Sequence, residues 1–144
     1  MPRAAITDPL VFDTDTDEIY HLGLVQIDVR QAKRILAAKK HKPRIQNCIL
    51  DGLARFVRRP QSRTLTDGTI EVSASPTKLD WTLIDSPAID LTVPILLARL
   101  PMDLGGLWPI DGWHRIAKAI DSGRESLPCY ILSARDSLRI INRP

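Results

Sequence analysis

At 144 residues, 44% of them hydrophobic, the chain suits one compact domain with a single core. It holds no run of 18 uncharged apolar residues and opens on MPRAAITDPL, without the apolar block of a signal peptide, so neither a membrane span nor secretion is expected and a cytoplasmic setting is. The net charge of +3 conceals a strong asymmetry: residues 1–29 carry one basic and six acidic side chains, residues 30–63 eleven and one, and residues 64–144 eight and ten.

Polyanions respond to the local field rather than to the chain average, so the central basic block points to phosphate-bearing partners. The acidic opening places Asp13, Asp15, Asp17 and Glu18 close together. It lacks the glycine and the distal glutamate of a calcium loop and reads as a solvated segment or one that docks on the basic block. Residues 20–27 (YHLGLVQI) read as a strand, with Asp28 as the N-cap of a following helix. That helix spans about 29–40, with Val29, Ala32, Ile35 and Leu36 on one face and Arg30, Lys33, Arg34, Lys39 and Lys40 elsewhere. After Pro43, the spacing of Ile45, Ile49, Leu50, Leu53, Phe56 and Val57 predicts a second helix over 44–57, ending before Arg58, Arg59 and Pro60. Arg30, Lys33, Arg34, Lys39, Lys40, Arg58, Arg59 and Arg63 are then the candidate nucleic-acid contacts, because solvated helix faces usually mix both charge signs and these do not.

Residues 60–80 are rich in Pro, Ser, Thr and Gly, and Asp67-Gly68 signals the turn of an exposed hairpin or flap. IDLTVPILLARL, the turn-rich PMDLGG and LWPI predict two sheet strands joined by a loop. A helix follows in which Trp113, Ile116, Ala117 and Ile120 share a face, with Gly123 as its C-terminal cap, and LPCYIL at 127–132 is the next strand. A strand, tight turn, helix and strand in this order predict a crossover joining parallel strands. Cys48 and Cys129 form no CxxC and are expected in the core, so neither a zinc site nor a disulfide framework is suggested and no set of metal ligands is assigned. The fold class expected is α/β (α+β): one domain over 1–144 with a small mixed sheet and packed helices.

The special chemistry is concentrated in Asp111, Gly112, Trp113, His114 and Arg115. They fall at a helix N-terminus, where backbone N–H groups lack helical partners and the dipole favours an anion. Gly112 permits close approach, His114 and Arg115 add donors, and the whole resembles a phosphate grip. His114 lies off the apolar stripe, beside Arg115 and one turn from Lys118, and is the candidate general acid or base, with Asp111 to orient it or to hold a Mg²⁺. The plainer alternative makes Asp111 an N-cap, Trp113 a core anchor and Arg115 a surface charge.

IDGWHRIAKAIDSGRESLPCYIL resembles the ParB/sulfiredoxin-like superfamily, whose signature is a glycine, two variable residues and an arginine after a strand, then a helix and a strand beginning Val-Pro or Leu-Pro. Here these are Gly112, Arg115 and Leu127-Pro128, with His114 before the arginine. VPILLARL and IDVRQAKRIL are similar to earlier elements of the same fold, and Arg44 to Asn47 is the nearest match to a second phosphate-binding helix. The resemblance covers about 40 residues. It implies a nucleotide or nucleic-acid phosphate held by Gly112, Trp113, His114 and Arg115, with ATP or CTP as nucleotide, and NTPase or nuclease-like chemistry of a plasmid or phage protein; a Mg²⁺ would be the ion held at Asp111. A sulfiredoxin carries cysteine where this chain has Trp113, and the chain ends twelve residues beyond Leu132, short of the further domains of a chromosomal partition protein. Two other readings stay open: a small-metabolite kinase, and a noncatalytic DNA-binding or regulatory module. With seven aromatic residues the chain is poor in stacking platforms for single strands, so duplex or backbone binding is the form expected.

Overall fold

A computed structural model describes residues 19–41, 43–73, 77 and 79–143. The acidic opening, Asp13 to Glu18, lies outside the described residues. In chain order the elements are β1 (Ile19–Leu22), β2 (Val25–Asp28), α1 (Val29–Ala38), β3 (Gln46–Ile49), a 3-10 helix (Asp51–Phe56), β4 (Gln61–Thr64), β5 (Ile70–Ser73), α2 (Trp81–Asp85), β6 (Ile95–Arg99), a short 3-10 turn (Met102–Leu104), β7 (Leu107–Asp111), α3 (Trp113–Asp121), β8 (Ser126–Leu132), α4 (Ala134–Leu138) and β9 (Ile141–Asn142). The fold is mixed α and β, as expected. No described helix is long and apolar enough to cross a membrane.

The central sheet has strand order β3-β8-β6-β7. Side chains alternate across it, which β6 shows best: Ile95 and Leu97 enter one apolar cluster, Leu96 and Ala98 the other. On the first side, Ile95 and Leu97 join Leu50 and Val57 from the 3-10 region, Ile84 of α2 and Ile116 of α3. On the second, Leu96 and Ala98 join Ala32, Ile35 and Leu36 of α1 with Ile27 of β2 and Ile140 just before β9. Burial on both faces explains why β6 reads as a continuous apolar run rather than an alternating one.

Asp28 caps α1 as expected, accepting the Gln31 N–H at 2.9 Å. Gly23 divides the strand expected at 20–27 into the β1-β2 hairpin, at a φ of 63°. The expected hairpin at 60–80 is present as β4 and β5 around Asp67-Gly68, with Gly68 at a φ of 88°. Residues 74–76 and 78 of that segment lie outside the described residues.

Two expectations are corrected. Residues 44–57 form strand β3 and a 3-10 helix, not an α-helix. Backbone pairing with β8, from Gln46 opposite Cys129 to Ile49 opposite Ser126, captures the segment, and the Leu50 N–H extends it to the Glu125 carbonyl. Ile45 and Ile49, which a helix would have buried, are exposed, while Cys48 and Leu50 point inward. The strands flanking α3 are also not parallel. The Leu100–Gly106 turn makes β6 and β7 antiparallel, and β8 pairs parallel with β6, so β7 and β8 run in opposite directions on either side of β6.

Candidate functional site

The five-residue turn begins where β7 ends. Asp111 is 3% exposed, and its Oδ2 lies 3.6 Å from Arg115 Nη2 and 3.6 Å from Lys33 Nζ. Lys33 belongs to α1, on one side of the sheet, and Arg115 to α3, on the other. A buried carboxylate at the sheet edge therefore joins the two layers through two cations. Arg115, also 3% exposed, donates through Nη1 to the carbonyls of Val93 and Pro94 at 3.0 Å each. Five donors in a rigid fork suit this multiple capture, which a lysine would not reproduce.

Gly112 is the N-cap of α3 at φ 97° and ψ 21°, a left-handed conformation that costs glycine nothing. A Cβ there would stand 2.5 Å from Ile95 Cγ2 and 3.0 Å from Arg115 Nη2. The close approach that this glycine permits is that of β6 and the arginine. Trp113 is buried, donates its indole N–H to the Pro109 carbonyl at 3.2 Å, and sits among Tyr20, Phe56 and Trp108. The plainer reading of Trp113 as a core anchor describes its position.

His114 is half-buried, and its Nε2 accepts the Asp80 backbone N–H at 3.0 Å. One turn on, Lys118 Nζ donates to the carbonyls of Ile84 at 3.1 Å and Ser86 at 2.6 Å. The α2 segment thus lies against the side of α3 that carries His114 and Lys118. The turn expected to grip a phosphate is closed off from solvent: Asp111, Gly112, Trp113 and Arg115 are buried, and His114 faces protein backbone. Asp111, held by two cations, does not fit a Mg²⁺ ligand, and among the described residues no three His, Cys, Asp or Glu side chains converge as a metal site.

The basic block is contiguous in sequence and divided in space. Arg30, Arg34 and Lys40 are exposed on or just beyond α1, whereas Arg58 and Arg59 follow the 3-10 helix on the opposite side of the central sheet and Arg63 lies on the β4-β5 hairpin. Several of these charges are engaged. Lys33 is in the buried cluster, Lys39 Nζ lies 2.8 Å from Asp136 Oδ2, and Arg63 pairs with Glu71 on the adjoining strand at 3.1 Å. Arg59 makes two bonds to Asp85, at 2.7 and 3.0 Å, and one to Asp121 at 3.1 Å, while its guanidinium lies 4.4 Å from the centre of the Trp81 ring. These bonds raise its already high pKa, with Asp85 the largest cause.

Between α1 and α4 lies a groove of about 360 Å³ lined by Gln31, Arg34, Ile35, Ala38, Lys39, Asp136 and Arg139. Three of the linings are cations and one is an acid. Lys39 holds the Asp136 carboxyl below the usual carboxylate range, with Arg139 Nη1 at 3.4 Å assisting. Arg139 was not singled out from the sequence, because it becomes a neighbour of Arg34 only when α4 packs beside α1. The burial of Lys33 had a signal: Val29, Ala32, Lys33 and Leu36 fall on one stripe of α1, and all are buried.

No family model, curated protein or solved structure matches this chain.

Proposed function

We propose that this chain is a binding module of the ParB/sulfiredoxin type for phosphate-bearing polyanions, with the backbone of duplex nucleic acid as its ligand and the surface of α1 and α4 as its contact face. The observation that carries this reading is the excess of cations on that surface, where Asp136 is the one acid lining the groove between the two helices. From Val29 to Arg44 the chain holds seven lysines and arginines and no acid, and Arg30, Arg34 and Lys40 are exposed there. Arg135 of α4 and Arg139 at its C-terminal cap add exposed cations alongside. Such a face attracts a phosphate backbone without reading sequence.

Binding is favoured over turnover because Asp111 is committed to Arg115 and Lys33, Arg115 to Asp111 and the carbonyls of Val93 and Pro94, and His114 to the Asp80 amide. The likeness of Gly112, Arg115 and Leu127-Pro128 to the superfamily signature supports the fold type. The motif's arginine acts here on the protein's own carbonyls and carboxylate.

Fluorescence anisotropy with a short labelled duplex, titrated at several salt concentrations, tests the reading. Each lost phosphate contact should flatten the plot of log affinity against log salt by about 0.9. The Arg30→Gln/Lys40→Gln variant should flatten it by roughly twice that. Binding without salt dependence, or an unchanged slope in this variant, contradicts it.

A further inference from the structure

We propose that the groove between α1 and α4 is a discrete site for a phosphate group, with Arg34, Lys39 and Arg139 as its cations and Asp136 as a built-in competitor for them. This rests on the reading of the α1 and α4 surface as the phosphate-binding face, and it adds to that face one defined subsite, its chemistry and its control.

The volume of about 360 Å³ lies at the lower end of the range for small-ligand sites, large enough for a phosphate with part of the molecule that bears it. Its linings divide by chemistry. Ile35 and Ala38 form an apolar wall, Gln31 offers an amide, and Arg34, Lys39 and Arg139 surround the remainder with charged donors. Arginine forks match the spacing of phosphate oxygens, and lysine adds a compact charge. The last carbonyls of α1 lie at the Ala38–Lys39 end and oppose an anion, so a single cation would be a weak site there; three converge instead.

Asp136 makes the site more than a patch of positive surface. Its carboxylate is nearly buried, 2.8 Å from Lys39 Nζ and 3.4 Å from Arg139 Nη1, while its backbone N–H is fixed by the Ser133 hydroxyl at 3.1 Å. It therefore orders two cations at the groove and occupies them. An incoming phosphate, with more oxygens and more charge than a carboxylate, shares or takes both, and meets repulsion from Asp136 as it does so. The charges facing the site are Arg34, Lys39 and Arg139 against Asp136 alone, so the balance favours the anion.

Isothermal titration with inorganic phosphate and with AMP, against chloride at matched ionic strength, tests the site in the full chain. Wild type should bind both. Asp136→Asn, which keeps the shape and removes the competing charge, should bind about tenfold more tightly, and Arg34→Gln/Arg139→Gln should lose about tenfold or more. Arg34 and Arg139 are exposed, so the double variant should keep the wild-type melting temperature, which separates loss of the site from loss of the fold. A preference for AMP over phosphate assigns the site to free nucleotides. A preference for a 5′-phosphorylated duplex over the same duplex unphosphorylated assigns it to nucleic-acid ends. Failure of phosphate and AMP to bind wild type and Asp136→Asn, or equal binding by the Arg34/Arg139 variant, overturns the site. Salt-dependent duplex binding that is weakened by Arg30→Gln/Lys40→Gln would then still uphold the function proposed above. Phosphate binding without duplex binding would have the reverse meaning.

Discussion

Arg115 Nη2 stands 3.6 Å from Asp111 Oδ2 across the first turn of α3, with the two side chains 3% and 2% exposed. Charges this deep are tolerated when paired and hydrogen-bonded, and removing one partner leaves the other in a medium that solvates it poorly. Arg115→Ala should therefore destabilise the fold by about 3 kcal/mol, measured by urea denaturation, while duplex affinity of the folded fraction stays unchanged. A stable variant with lost affinity would return Arg115 to the ligand.

Gly112 and Ile95 form a second internal dependence. Gly112→Ala combines a left-handed backbone with a Cβ 2.5 Å from Ile95 Cγ2, and each should add to the cost. Ile95→Ala removes the nearest clashing methyl and leaves the backbone strain and the 2.9 Å approach of its own Cβ. The two substitutions together should destabilise less than the sum of their separate effects in a double-mutant cycle. Simple additivity would mean that the glycine is required for some reason other than the approach of β6.

Cys48 and Cys129 are buried on paired strands, and burial pushes both thiols up, Cys129 to about 11 with the neighbouring Cys48 contributing. The thiolate is the reactive form, so neither should alkylate appreciably at neutral pH in the native protein. Labelling by iodoacetamide should appear only as urea unfolds the chain, and its midpoint should coincide with that of the fold. Rapid labelling of the native protein contradicts this packing.

Asp136 gives the fold an acid-side dependence. Its carboxyl is held below the ordinary value of 3.8, chiefly by Lys39, so the folded state keeps the group ionised where the unfolded chain begins to protonate it. The stability it contributes is complete above that ordinary value and is lost as pH falls through the depressed one. Asp136→Asn should remove this part of the decline in melting temperature below about pH 4. An acid limb of the same steepness in both proteins contradicts the assignment.

What the sequence disclosed follows from how local each signal is. The Asp28 cap and the apolar stripe made α1 legible, Asp67-Gly68 marked the β4-β5 turn, and Trp113, Ile116, Ala117 and Ile120 with Gly123 outlined α3. The segment from Ile45 to Val57 misled because its apolar spacing is helical while its partner strand β8 lies far downstream. At the turn, positions were legible and directions were not. Arg115 lies off the apolar stripe of α3 and is buried all the same, because the chain at Val93 and Pro94 passes close enough to accept its bonds. The groove brings together Arg34 and Arg139, which no local pattern connects.

In the proposed function phosphate meets α1 and α4, and the Gly112–Arg115 turn serves the interior. Backbone amide spectra of ¹⁵N-labelled protein, titrated with a short duplex at low salt, test it most directly. The largest shifts should fall within residues 29–40 and 134–139, with Gly112, Trp113, His114 and Arg115 nearly unmoved. Shifts centred on Gly112 to Arg115, with α1 and α4 silent, would contradict it.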